Sequence, residues 1–155
     1  MVSTELLRRY SFFALLSPEQ LMEVAMIADE IEFNPNDVVF NVEQDADKFY
    51  LLVNGAVDMF TESFDPLYKP DLRRNYMVGM VNPGEVFGVS AMIEPFKYTA
   101  MAVATEPVDA IVIDAVALRN MLETDRDMGY VLLQQVNFAL MERLNFTRIQ
   151  LAAAQ

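Results

Sequence analysis

The segment from residue 82 to residue 100 constrains the fold of this chain more than any other. It begins with the Pro83-Gly84 turn signal, runs through the apolar pair Val86-Phe87 to Gly88, and ends in another apolar stretch beyond Tyr98. This order predicts a strand end, a tight turn, a short helix, a loop and a further strand. Such a unit directs unpaired backbone N–H groups into the space between two strands, where an anion can bind.

The middle of the chain alternates short apolar segments with turn signals. Strands are predicted at residues 30–33, 38–40, 49–53, 56–60, 76–81, 97–104 and 108–114. The Asn54-Gly55 pair is the strongest hairpin signal, and it predicts direct pairing of the strands on either side of it. Residues 63–75, with two prolines and mixed charges, predict a loop at the tip of a long hairpin. Many short strands with regular turns favour a sandwich or a barrel.

Helices are predicted before and after this β region. They cover residues 3–9, 17–28, 115–123 and about 125–152. Ser17 is a good N-cap for the second helix, and Gln20 stands at the capping-box position. Asp114 is placed to cap the third helix, and Thr124 or Asp125 to start the last one.

The last predicted helix carries a stripe with alternating three- and four-residue spacing. Its members are Leu133, Val136, Leu140, Leu144, Thr147 and Leu151. This spacing predicts either a helix packed on its own barrel or a helix paired with its copy in a dimer. Further apolar residues lie off the stripe at Phe138, Met141, Phe146 and Ile149. Because so wide an apolar face needs burial, we expect a homodimer through this helix.

Two absences restrict the chemistry of the chain. It contains no cysteine and no histidine. Disulfides, thiol chemistry, zinc centres, haem held by His or Cys, and hydrolases with a Ser-His or Cys-His pair are therefore excluded. Neither a metal site nor a cofactor is predicted. Since no nucleophile, base and orienting group occur together, we do not expect an enzyme.

The net charge and the hydropathy of the chain limit which partners it can bind and where in the cell it can lie. The net charge is −12, so the chain alone is expected to bind neither nucleic acid nor a membrane. Although 54% of the residues are hydrophobic, no apolar run is long enough to span a bilayer, and the N-terminus lacks the plan of a signal peptide. We therefore expect a cytoplasmic protein with one domain, residues 1–155, comprising a barrel at about 29–114 and C-terminal helices at about 115–152.

Three segments together resemble the cyclic-nucleotide-binding domain family, in particular the sensor domain of catabolite activator protein-like regulators. Residues 33–40 resemble the turn into its second core strand, residues 49–57 its central hairpin, and residues 82–88 the start of its phosphate-binding cassette. The resemblance covers about residues 5–150. It implies a mainly β fold with flanking helices: an antiparallel β jelly-roll barrel, N-terminal helices and a long C-terminal dimerisation helix.

The resemblance also bears on the output of the domain. Family members that regulate transcription carry a DNA-reading helix-turn-helix after the long helix. If residue 155 is the natural end, there is no room for one, and we expect the output to pass to a separate protein. If the natural chain is longer, regulation of transcription returns as an expectation.

Two positions depart from the pattern of family members that bind cyclic nucleotide. Those members place a Glu after the cassette glycine, as an acceptor for the ribose hydroxyl, whereas Val89 follows Gly88 here. They place an Arg later in the cassette to pair with the phosphate, whereas this chain has Tyr98. A phenol donates one hydrogen bond but lacks the forked, charged donor of a guanidinium. Lys97 is adjacent, but neighbouring residues of a strand point to opposite faces.

The resemblance and these departures predict a non-enzymatic regulatory or sensor domain with a degenerate phosphate-binding cassette. It is not expected to bind cyclic AMP in the usual way, and its small-molecule ligand is of unknown identity. The candidate ligand site comprises Phe87, Gly88, Val89, Ser90, Ala91, Tyr98 and Thr99, with backbone N–H groups at the helix start as anion donors. Two alternatives stay open: a ligand-free dimerisation or docking scaffold, and a cyclic-nucleotide-responsive regulator with an unusual site.

Overall fold

Two antiparallel sheets, each of four strands among the residues described, form the β region. The computed structural model describes residues 1–65 and 69–155, and it describes side chains outside residues 63–74. The strands are β1 (Ala28–Phe33), β2 (Val38–Phe40), β3 (Lys48–Asn54), β4 (Val57–Asp65), β5 (Lys69–Val81), β6 (Val86–Phe87), β7 (Met101–Ala104) and β8 (Val108–Asp114). The sheet orders are β1-β8-β3-β6 and β2-β7-β4-β5. Because the chain passes repeatedly from one sheet to the other, the arrangement is the predicted jelly roll.

The strand β3 lies at the centre of the apolar core. It pairs with β8, where Phe49 lies opposite Ile113, and with β6, where Tyr50 lies opposite Phe87. Residues 49–52 are all buried, although alternate side chains of a strand point to opposite faces. The outer face is buried because the N-terminal segment covers it: the Phe12 ring centroid lies 5.3 Å from that of Phe49.

Local signals in the sequence place the two N-terminal helices. α1 (Thr4–Arg8) begins after Ser3, whose side chain accepts a hydrogen bond from a backbone N–H of the first turn. α2 (Pro18–Met26) has both hydrogen bonds of the predicted capping box between Ser17 and Gln20. The predicted end of this helix at residue 28 was wrong, because Ala28 is buried as the first residue of β1, opposite Ile113.

Aspartate caps start both C-terminal helices. Asp114 accepts a backbone N–H from the first turn of α3 (Ala115–Thr124), and Asp125 does the same for α4 (Arg126–Ala153). The Gln20 side-chain amide donates to the second carboxylate oxygen of Asp125 at 2.9 Å. This bond, followed by those from the backbone, holds the pKa of Asp125 below its ordinary value. The starts of α2 and α4 are thereby joined.

Gly129 lies where α4 passes close to α3. It is buried, and a Cβ at this position would lie 2.9 Å from the carbonyl oxygen of Leu122. The sequence indicated only the helix-propensity cost of this glycine, about 1 kcal/mol relative to alanine. The close approach of two backbones explains why a side chain is absent there.

The predicted hairpin at Asn54-Gly55 was wrong. β3 lies in one sheet, and β4 pairs with β5 and β7 in the other, so the two strands do not pair with each other. Gly55 instead turns the chain from one sheet to the next with φ 99°, and a Cβ there would lie 2.4 Å from the carbonyl oxygen of Pro107. The glycine therefore meets two needs of a corner between sheets: a left-handed conformation and a close backbone approach.

Two strand bounds also differ from the predictions. The pairing of β4 with β5 continues to Asp65 and resumes at Lys69, inside the region predicted as a loop. The remainder of that predicted loop, residues 66–68, lies outside the described residues. β7 begins at Met101 rather than at residue 97, because the preceding residues form a connection with one bridge, between Asp45 and Lys97.

In the part of the chain that the structure describes, no helix combines the length and the apolar character needed to cross a bilayer. Three or more acidic side chains do not converge anywhere among these residues in a way that would hold a metal ion.

The contact of Gly129 with Leu122 predicts an unusual substitution effect. Gly129→Ala should destabilise the protein by about 1–3 kcal/mol, because the overlap with a backbone oxygen outweighs the better helix propensity of alanine. Urea unfolding followed by circular dichroism measures the change. Gly79→Ala is the matched control, since its Cβ would meet nothing closer than 3.9 Å. A Gly129→Ala protein at least as stable as the parent would contradict the close approach.

Candidate ligand-binding site

The candidate site is built on the connection between β6 and β7. β6 ends at Phe87, Gly88 adopts a left-handed conformation with φ 71°, and a 3-10 turn follows at Val89–Met92. Within the turn, the Ala91 N–H donates to the carbonyl oxygen of Gly88 at 3.0 Å. Because glycine adopts this conformation without strain, Gly88 sets the direction in which the chain leaves the strand.

Gly88 is also packed against three aromatic rings. A Cβ on this residue would lie 3.3 Å from the ring of Tyr50 and 3.4 Å from the rings of Phe40 and Tyr98. Contacts of this length leave little space for a side chain. The rings therefore occupy the volume directly above the backbone turn.

Tyr98 is held in the core by both its ring and its hydroxyl. Its side chain is 3% exposed, and its ring stacks on Phe40 with centroids 3.8 Å apart and planes 11° apart. Its hydroxyl donates a 2.6 Å hydrogen bond to the carbonyl oxygen of Lys48, at the start of β3. Burial raises the pKa of the phenol above its ordinary value.

The stack continues across the interior of the barrel. The Tyr50 ring lies 5.0 Å from Phe87 at 15°, and Phe40 lies 5.9 Å from Tyr50 and 6.2 Å from Phe87. Burial also raises the pKa of Tyr50, to about 12. Four nearly parallel rings from β2, β3, β6 and the segment before β7 thus form one aromatic layer, defined as Phe40, Tyr50, Phe87 and Tyr98.

The cation next to Tyr98 points away from this layer. Lys97 is exposed, and its ammonium pairs with the carboxylate of Asp45. A hydrogen bond and the opposite charge lower the pKa of Asp45 and raise that of Lys97. As predicted for neighbouring residues, the two side chains point in opposite directions: Tyr98 lies inside the barrel and Lys97 outside.

The predicted site residues differ in how deeply the structure buries them. Phe87, Gly88 and Tyr98 come together in the interior, and Val89 and Ala91 are buried in the adjoining turn. Ser90 is half-buried, whereas Thr99 is exposed on the surface and does not join the others.

Arg119, on α3, binds the backbone of the segment between β6 and β7. This residue was not predicted from the sequence. Its guanidinium donates to the carbonyl oxygens of Ala91 (2.7 Å) and Ala46 (3.2 Å). It also lies 4.0 Å from the centre of the Phe96 ring, in a cation–π contact. The sequence could have indicated this role, because Arg119 comes four residues after the apolar Ala115 and therefore lies on the same face of the helix.

Arg143, on α4, holds the other end of the same segment. One of its guanidinium nitrogens donates a 2.5 Å hydrogen bond to the carbonyl oxygen of Val86 in β6. Burial lowers the pKa of this arginine, while the carboxylates of Glu85 and Glu142 act in the opposite direction. Two helices thus bind the backbone on both sides of Gly88.

The residues predicted for the dimer helix lie mostly on an open face of α4. Those that are exposed are Leu133, Leu140, Leu144, Thr147 and Leu151. Val136 is 1% exposed because it packs in the core of its own chain, so we leave it out of the contact proposed below.

The hydrogen bond of Tyr98 predicts a measurable loss on its removal. Tyr98→Phe should keep the aromatic stack but lower the free energy of unfolding by about 1 kcal/mol, because the Lys48 carbonyl loses its donor. Chemical denaturation measures the difference, and Tyr76→Phe, at an exposed position of β5, is the control. Equal stability of the two variants would show that the Tyr98 bond contributes nothing.

Comparison with known proteins gives one family over this region. The model of the family described as "Cyclic nucleotide-binding domain" matches residues 30–125, more than half of the chain. A candidate cyclic nucleotide-binding protein from Geobacter metallireducens GS-15 is 39% identical, with a TM-score of 0.82 over 93% of this chain and 99% of that one. The sensor domain of the transcriptional regulator DNR from Pseudomonas aeruginosa has the same fold, with 22% identity and a TM-score of 0.70 over 91% and 95%.

A curated relative is longer than this chain. The CRP-like cAMP-activated global transcriptional regulator of Mycobacterium tuberculosis is 24% identical over 148 residues, or 96% of this chain. The chain spans 61% of that relative's length. The match covers both the β region and the C-terminal helices.

Proposed function

We propose that this chain, which belongs to the cyclic nucleotide-binding domain family, is a regulatory or sensor domain whose phosphate cassette is degenerate and does not bind cyclic AMP in the usual way. The family is a non-catalytic one, which confirms the prediction that the chain is not an enzyme. Its signal would pass through the C-terminal helix to a partner. We propose the cytoplasm as its location, because the chain resembles a transcriptional regulator.

The observation that carries this proposal is the state of Tyr98. This residue stands where the family resemblance places the phosphate-binding arginine, and the only hydrogen-bonding group of its side chain donates to the Lys48 carbonyl. Its ring lies on Phe40, over the glycine of the cassette. A cyclic phosphate at this place would therefore meet an aromatic surface instead of a charged fork.

Val89 adds a second loss. It stands where the resemblance places the ribose acceptor, and it is a buried apolar side chain that accepts no hydrogen bond. Each missing charge-assisted bond is worth roughly 1.5–3 kcal/mol. Together the two losses lower the affinity for cyclic AMP by about two to four orders of magnitude, at about 1.4 kcal/mol per factor of ten.

A second candidate function is a dimerisation or docking scaffold without ligand. The aromatic layer favours it, because four stacked rings already occupy the interior above Gly88. A ligand smaller or less charged than cyclic AMP would have to displace Tyr98 from Phe40 or bind beside the layer. Native mass spectrometry of the purified protein separates the two functions, since a sensor retains a stoichiometric small molecule.

We further propose that α4 pairs with its copy in a homodimer. The contact would use the seam, defined as the exposed residues Leu133, Leu140, Leu144, Thr147 and Leu151. Four leucines at heptad-like spacing are costly to leave in water, at about 25 cal/mol per Å² of apolar surface. The net charge of −12 supports the absence of nucleic-acid binding by this chain alone.

Binding of cyclic AMP tests the proposed function directly. At about 1 mM cyclic AMP the melting temperature of the parent protein should not change, whereas saturation at a hundredfold over Kd adds about 2.7 kcal/mol of stability. A double variant with Val89→Glu and Tyr98→Arg should gain a shift if it folds. A double variant with Val89→Glu and Thr99→Arg adds the same two charges with the arginine at an exposed position, and it is the control. A shift in the parent protein, or stoichiometric cyclic AMP retained on purification, would overturn the proposal.

The homodimer has its own test. Sedimentation equilibrium should give twice the chain mass of 17.6 kDa for the parent protein. Leu144→Glu should give the single-chain mass, because a carboxylate would enter the apolar seam. Ile149→Glu, on the far side of α4, should leave the dimer intact. A parent protein of single-chain mass would refute this mode of assembly.

A further inference from the structure

A groove runs along α4 on the side next to β5 and the turn at residues 82–85. It consists of two adjoining concavities of about 270 Å³ and 560 Å³. Glu85, Glu142 and Arg143 line both of them, so the two form one continuous feature with these charged residues at its middle. This feature, the α4 groove, lies outside the candidate ligand site.

The α4 groove faces away from the seam. Leu133 and Glu142 are nine residues apart, as are Leu140 and Ile149, and nine residues make about two and a half turns of an α-helix. Members of each pair therefore lie on opposite sides of α4. A homodimer that pairs along the seam leaves the groove open.

The groove has apolar ends and an acidic middle. Phe138 is 62% exposed at one end, and Met80 and Ile149 are 47% and 68% exposed at the other. Glu142 is exposed between them, and Glu85 is half-buried with one carboxylate oxygen accepting the Asn82 N–H.

The guanidinium of Arg143 points into the protein, whereas the carboxylate of Glu142 is exposed in the groove. Arg143 donates to the Val86 carbonyl oxygen beneath it, and burial lowers its pKa. Two carboxylates against one inward-bound cation leave the middle of the groove negative. The whole chain, at −12, adds to this field.

We propose that the α4 groove binds a basic amphipathic helix of a partner protein. From Phe138 to Ile149 the floor of the groove extends about 16 Å along α4, which matches roughly three turns of a docked helix. Apolar side chains of that helix, three and four residues apart, would cover Phe138, Met80 and Ile149. A Lys or Arg between them would meet Glu142 and Glu85.

The charge of the chain argues against a second copy as the occupant. Unlike the apolar seam, the groove would place Glu85 and Glu142 against a second chain that also carries −12. Like charges across an interface cost free energy and slow association. This proposal is independent of whether the cassette binds a ligand.

A labelled model peptide tests the proposal on the full chain. The probe is a fluorescein-labelled peptide of Leu and Lys, about 14 residues and roughly four helical turns long, with leucines at three- and four-residue spacing. Fluorescence anisotropy at physiological salt should show saturable binding with one peptide per chain. A peptide of the same pattern with Glu in place of Lys should not bind.

Matched variants locate the binding. Glu142→Lys should raise the Kd of the peptide about tenfold. Glu123→Lys makes the same charge change at an exposed position of α3 and should change the Kd by no more than about twofold. Ile149→Ser should weaken binding, and Leu15→Ser, equally exposed elsewhere, should not.

Three results would overturn the proposal. The first is no saturable binding of the Leu-Lys peptide by the parent protein. The second is an equal effect of Glu142→Lys and Glu123→Lys, which would mean attraction by net charge alone. The third is a change of sedimentation mass on Ile149→Ser, which would mean that a copy of the chain occupies the groove.

Discussion

The contact on which the candidate site depends is the seating of Tyr98 between Phe40 and the Lys48 carbonyl. The stack joins the segment after the cassette to β2, and the hydrogen bond joins it to β3. Both sheets are therefore tied together at one side chain. A side chain held in this way is part of the core, and this is the basis on which we propose that it does not bind a phosphate.

Two arginines extend this organisation from the interior to the helices. Arg119 binds the Ala91 carbonyl from α3, and Arg143 binds the Val86 carbonyl from α4. The Ala91 oxygen lies within the short turn that follows Gly88, and the Val86 oxygen lies in β6, two residues before Gly88. A displacement of α3 would therefore act on the turn, and one of α4 would act on β6 just before it. The proposed seam and the α4 groove lie on the helix that carries Arg143.

Much of the fold was predictable because its signals are local. The capping residues Ser17 and Asp114 fixed helix starts correctly, since a cap acts on the next three residues. The Asn54-Gly55 hairpin failed because strand pairing is decided by contacts far apart in sequence, here by the approach of Gly55 to Pro107. At the site, the sequence identified Tyr98 but not its partner Phe40, since a non-local stack leaves no pattern in either segment.

Amide hydrogen exchange over the segment from Gly88 to Met92 tests the central claim most directly, because these backbone N–H groups are the ones that a cyclic phosphate would occupy. Exchange is measured with and without about 1 mM cyclic AMP. The account predicts the same exchange rates in both conditions, because the aromatic layer already fills the space above the turn. Slower exchange at Val89 and Ser90 in the presence of cyclic AMP would contradict it.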